Sequence, residues 1–128
     1  MSEELGEIQQ QLKESFIAER GYWDEGLLGP ILRLDPNFLE AYLNFSAVPW
    51  KKGTLPPKIK ELIYIAIDAS VTHLFEPGLR LHISNALKHG ATKEEIIEVF
   101  QLVSVLGIHT CTVGMPILME ELERVKKA

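Results

Sequence analysis

The run LIYIAIDASVTHLFEPGLRLHISNALKHG, residues 62–90, decides how the rest of the chain is read. It opens as an apolar segment with helical spacing, breaks at Glu76-Pro77-Gly78, and resumes as a second helical segment that carries His82. Three of the four histidines of the chain lie within it. An ionisable set, His73, Glu76, Arg80 and His82, stands at or beside the break, so any chemistry is expected at that junction.

Reading outward toward the C-terminus, Pro77 suits a first helical turn and Gly90 a C-terminal cap, which bounds a helix over residues 77–89. Thr92 with Glu95 three residues later forms a capping box. It opens a helix whose stripe is Ile96, Val99, Phe100, Val103 and Leu106, ending at Gly107. The last helical segment covers residues 110–126, with Pro116 requiring either a start near Gly114 or a kink.

Reading outward toward the N-terminus, residues 58–69 place Ile59, Leu62, Ile63, Ala66 and Ile67 on a broad apolar face, widened by Tyr64 and Ile65. This predicts a central helix buried on more than one side. Residues 49–57, PWKKGTLPP, read as a loop. Asp35 as N-cap and Pro36 at the first helical position open a helix to about residue 48. Residues 22–34 contain Gly26, Gly29 and Pro30 and predict only a turn or two of helix around residues 23–28. Residues 3–20 place Leu5, Ile8, Leu12, Phe16 and Ile17 on one amphipathic stripe that Gly21 ends. No alternating segment and no internal repeat interrupts this pattern. The prediction is an all-α single domain of six or seven helices.

At 128 residues the chain is long enough for one core without staples, and 46% hydrophobic with 24% charged residues is an ordinary globular composition. A net charge of -5 and the absence of any long Lys/Arg run argue against a nucleic-acid partner. Cys111 is the only cysteine, which excludes an intrachain disulfide or dithiol pair and favours a cytoplasmic location. The N-terminus is acidic and polar, unlike a signal peptide. No apolar run is read as long enough to span a bilayer, so no membrane partner is expected. The central helices are too apolar for one small subunit to cover, which points to contacts between copies.

The run Lys60-Glu61-Leu62-Ile63, then His82 followed by Ala86 and Gly90, then Ala91-Thr92 with Glu94-Glu95-Ile96, resembles the carboxymuconolactone decarboxylase family, which includes the alkylhydroperoxidase-D proteins. The resemblance covers roughly residues 55–122. It implies an alkylhydroperoxidase-D-like helical bundle that assembles into trimers or hexamers, with a pocket near a subunit interface. Redox members carry a C-x-x-C pair ahead of the equivalent of His82. Here those two positions are Phe75 and Gly78, so thiol-dependent peroxide reduction lacks its nucleophile and its resolving partner.

The resemblance therefore implies the cysteine-free decarboxylase branch, acting as a thiol-independent lyase or binder on a small carboxylate or lactone. In that reading His82 is the proton donor, Glu76 orients its ring, and Arg80, with His109 and His73, binds substrate. Arg80 and His82 are two residues apart and leave different faces of one helix, so they share a site only between subunits. No cofactor is called for. His73, Glu76, His82 and His109 are a conceivable metal set, but their spacing matches no ligand pattern, and no metal is expected. Plainer roles stand beside these: His82 as a core histidine, Glu76 as a carboxylate favoured at a helix N-terminus, His89 as a cation at a helix C-terminus. Cys111 reads as an inert core residue. Two further functions are a non-catalytic oligomeric ligand-binding protein and a peroxidase-type activity using Cys111.

Overall fold

The computed structural model describes residues 4–128, and the described residues are helical, with no strand among them. The chain divides into two compact units, Met1–Pro57 and Lys58–Ala128.

The first unit contains α1 (Glu7–Arg20), α2 (Glu25–Leu34), α3 (Pro36–Ser46) and the short α4 (Val48–Lys52). Its core is Leu12, Phe16, Leu28, Leu32, Leu39, Leu43 and Ala47. Each large side chain buried there contributes roughly 1.5–3 kcal/mol relative to exposure. The stripe on α1 is narrower than its sequence suggests, because Ile8 and Ile17 are exposed while Leu12 and Phe16 face inward. Of the segment read from residue 3, Glu3 lies outside the described residues. Gly21 ends α1 in the left-handed conformation, φ 78°.

Two segments read as broken are helical. α2 runs unbroken through Gly26, Gly29 and Pro30 because Asp24 caps it, accepting the Leu27 N–H at 2.9 Å, and Leu28 and Leu32 anchor it in the core. An ion pair between Arg33 and Glu25 crosses Gly29, where a Cβ would collide with both side chains. α4 forms inside the expected loop. Ala47 is buried and its carbonyl accepts the N–H groups of Trp50 and Lys51, while Pro49 occupies a first-turn position that needs no donor. Asp35 and Pro36 open α3 as expected, with the Phe38 N–H donating to Asp35 Oδ1 at 3.1 Å.

The second unit contains α5 (Pro57–Ala69), α6 (Glu76–Lys88), α7 (Lys93–Val103), a 3-10 turn (Ser104–Ile108) and α8 (His109–Lys127). Ile65, Ala86, Ala91 and Ile96 form its buried core, with Leu62, Leu79, Ile83 and Val99 packed against them. The capping box of Thr92 and Glu95 is present as expected, and Gly90 takes φ 89°. Glu76-Pro77-Gly78 is the first turn of α6, and the interruption lies earlier, over residues 70–75. There Leu74 adopts φ 44°, the one positive-φ residue other than glycine among the described residues, and the Phe75 N–H donates to the Asp68 carbonyl at 2.9 Å.

Four expectations differ from the structure. The inward face of α5 is Glu61, Ile65 and Asp68, whereas Ile63 and Ile67 are exposed. α8 starts at His109 and continues through Pro116, and Cys111 on it is exposed rather than in a core. The stretch Lys93–Lys127 is, by length and composition, apolar enough to cross a membrane, contrary to the sequence reading. No Asp, Glu, Lys or Arg stands between Glu98 and Glu120, and the intervening Ser, Thr, His and Gly residues hide that run from a search for unbroken apolar letters. Every residue from Ser104 onward is exposed in the single chain.

Candidate functional site

Glu61, Ile65 and Asp68 fall four and three residues apart, which stacks them on one face of α5. Gly78, His82, Asn85 and Ala86 follow the same rule along α6. Where these faces meet, two carboxylates of α5 approach one imidazole of α6. His82 Nδ1 lies 2.7 Å from Glu61 Oε2, and its Nε2 lies 3.7 Å from Asp68 Oδ2. The Tyr64 ring stacks on the imidazole at 4.5 Å between centroids, with planes 29° apart.

Burial gives this cluster its character. Glu61 is 1% exposed and Asp68 7%, and buried carboxylates are rare unless partnered. An ionised carboxylate only accepts hydrogen bonds, so with Glu61 in that form the hydrogen of this bond sits on Nδ1. That leaves Nε2 as the ring nitrogen able to give or take a proton. A carboxylate fixed on one ring nitrogen sets the tautomer and orientation of a working histidine.

Asp68 also touches the turn that follows α5: its Oδ1 is 3.3 Å from His73 Nε2. Its Oδ2 lies over the third residue of α6, so close that a Cβ on Gly78 would collide with it and would sit 2.7 Å from the Phe75 ring. The carboxylate thus rests at the electropositive N-terminal end of α6. A cysteine at position 78, as in the redox pattern, would have to displace it and the Phe75 ring.

His82 and His73 are therefore brought into one cluster, joined by Asp68. Glu76 is not the partner of His82. Glu76 Oε1 accepts from Arg80 Nε at 3.0 Å and Nη2 at 2.7 Å, four residues on along the exposed face of α6. Arg80 is thereby turned away from the imidazole. His109 opens α8, exposed, with its Nδ1 3.4 Å from Thr112 Oγ1. His89 is the C-cap residue of α6, as a cation at a helix C-terminus would be. Among the described residues no group of three or more His, Cys, Asp or Glu is arranged to hold a metal ion.

Sequence reasoning missed Glu61, Tyr64 and Asp68. The signal was available: acids at positions 61 and 68 share a helix face with Ile65, an interruption of an apolar face that solvated charges would not produce.

The carboxymuconolactone decarboxylase family profile matches residues 36–109, more than half of the chain. No curated protein matches it. A crystal structure from Burkholderia xenovorans LB400, provisionally named as a gamma-carboxymuconolactone decarboxylase subunit, is 50% identical over 98% of this chain with a TM-score of 0.93. The match takes in 50% of that longer protein, so this chain spans about half its length.

Proposed function

Because the chain belongs to the carboxymuconolactone decarboxylase family, we propose that it is a thiol-independent lyase acting on a small carboxylate or lactone, with His82 as proton donor and Glu61 as its orienting carboxylate. The observation that carries this reading is the 2.7 Å contact between the buried Glu61 and the partly buried His82. Such a pair, almost out of water, is what general acid catalysis needs. In decarboxylation the electrons of the breaking C–C bond pass into the conjugated lactone as carbon dioxide leaves. A proton delivered from His82 Nε2 to carbon completes the product, and the imidazole is then reprotonated from solvent. The one cysteine, exposed on α8, takes no part.

The site belongs to an assembly of several copies. Val105, Ile108, Val113, Ile117 and Leu118 are all more than half exposed on the 3-10 turn and α8, and apolar patches of that extent on a soluble monomer mark interaction surfaces. The related crystal structure is named as a subunit, which agrees with this. Arg80 reaches a substrate carboxylate only if the exposed face of α6 meets another copy.

Incubating the protein with gamma-carboxymuconolactone and following carbon dioxide release tests the proposal. The parent is expected to turn over, and His82→Gln to lose roughly 10²–10⁴-fold of the rate. Saturable binding of the lactone without carbon dioxide release would replace the lyase with a binding protein.

A further inference from the structure

We infer that Asp68 and His73 form the path by which His82 exchanges its working proton with solvent. This rests on the reading of His82 as proton donor, and adds to it a route for reloading. The groups form a line with one solvent-facing end, His73, and three largely covered members. Side-chain exposure is 51% at His73, 11% at Asp68, 12% at His82 and 2% at Glu61. The separations along that line are 3.3 Å, 3.7 Å and 2.7 Å. Solvent therefore reaches His73 readily, while Asp68 and His82 are both largely covered.

The local backbone holds this line in place. The left-handed Leu74 and the Phe75 N–H bonded to the Asp68 carbonyl turn the chain back after α5, which brings His73 over the Asp68 carboxylate. Gly78 leaves the space that the carboxylate occupies. The charged or titratable groups facing His82 are Glu61, Tyr64 and Asp68 from α5, while His73 reaches it through Asp68. The Glu76–Arg80 pair of α6 lies in solvent.

Each turnover removes one proton from His82 Nε2. Asp68, as the carboxylic acid, returns one to Nε2 and becomes the carboxylate. His73, as the imidazolium, returns one to Asp68, and water reprotonates His73. The sum is one proton from solvent to product carbon, with no charge left behind. The 3.7 Å step is longer than a hydrogen bond and closes by rotation of the Asp68 carboxylate or through one water.

The test uses the full chain and two readouts. The first is solvent exchange of the His82 imidazole Nε2 proton, followed by nuclear magnetic resonance. That proton faces Asp68 and is the one the path carries, so its exchange reports the path without any substrate. His73→Gln, with an unchanged amide spectrum outside residues 70–75, is expected to slow exchange about tenfold, as is Asp68→Asn. The second is gamma-carboxymuconolactone turnover in dilute buffer. His73→Gln should lower kcat about tenfold with KM unchanged, and added imidazole should restore it. Equal exchange rates in parent and both variants would overturn the path. If the parent does not decarboxylate but exchange slows in the variants, the path stands and the lyase reading falls.

Discussion

Glu61 and Glu76 are chemically the same group in opposite surroundings. One is buried against an imidazole and the other is an exposed partner of Arg80. Glu61→Gln keeps the shape but removes the charge beside His82, and is expected to lower lactone turnover about 10²-fold. Glu76→Gln should change stability by no more than about 1 kcal/mol in urea unfolding, because exposed pairs at helical spacing contribute little. If Glu76→Gln were the variant that lost turnover, Glu61 would not be the orienting group. His82 was legible in the sequence from its place after the break, but its partner was not. A carboxylate six residues away in sequence is easily paired on paper, whereas Glu61 is 21 residues distant and hidden in a segment read for apolar periodicity.

At the scale of helices, Gly78 and the Thr92–Glu95 box give separate tests. Gly78→Ala adds a methyl where the Asp68 carboxylate and the Phe75 ring already stand. Overpacking of this kind costs about 1–3 kcal/mol, more than the ~1 kcal/mol that alanine gains over glycine in a helix. A fall in the urea midpoint is therefore expected, together with displacement of Asp68 from His82. The Thr92 backbone N–H donates to Glu95 at 3.0 Å, and this bond, then Lys58 at 3.1 Å, holds the Glu95 carboxyl below its ordinary value. A depressed carboxylate stabilises the fold above its unfolded pKa, and that contribution is lost as pH falls through the folded value. Acid unfolding of Glu95→Gln should lack this part of the pH dependence. The caps at Asp35, Gly90 and Thr92 were legible because each depends on one residue type at one position. α2 and α4 were not, since buried Leu28, Leu32 and Ala47 override the glycines and prolines that read as breaks.

For the whole molecule, the exposed apolar length of α8 predicts self-association. The protein should sediment as an assembly several times its 14.5 kDa chain mass. Leu118→Glu should weaken association by tenfold or more, since a buried leucine is worth about 1.5–3 kcal/mol. A monomer in buffer that pellets with uncharged phosphatidylcholine vesicles would assign this face to a membrane instead. The all-helical class was legible from periodicity alone, but the face that α8 presents depends on neighbours that one sequence does not contain.

Leu74 carries a consequence of another kind. A leucine in the left-handed region costs roughly 1–2 kcal/mol that glycine would not, and the residue is 65% exposed, so little packing offsets that cost. A more stable version of this chain is therefore one substitution away, in the turn that sets His73 over Asp68. Leu74→Gly should raise the melting temperature, offset in part by the looser unfolded chain. The rise would measure how much folding stability the molecule forgoes to keep that turn in register, and an accompanying loss of turnover would show what the turn contributes to the site.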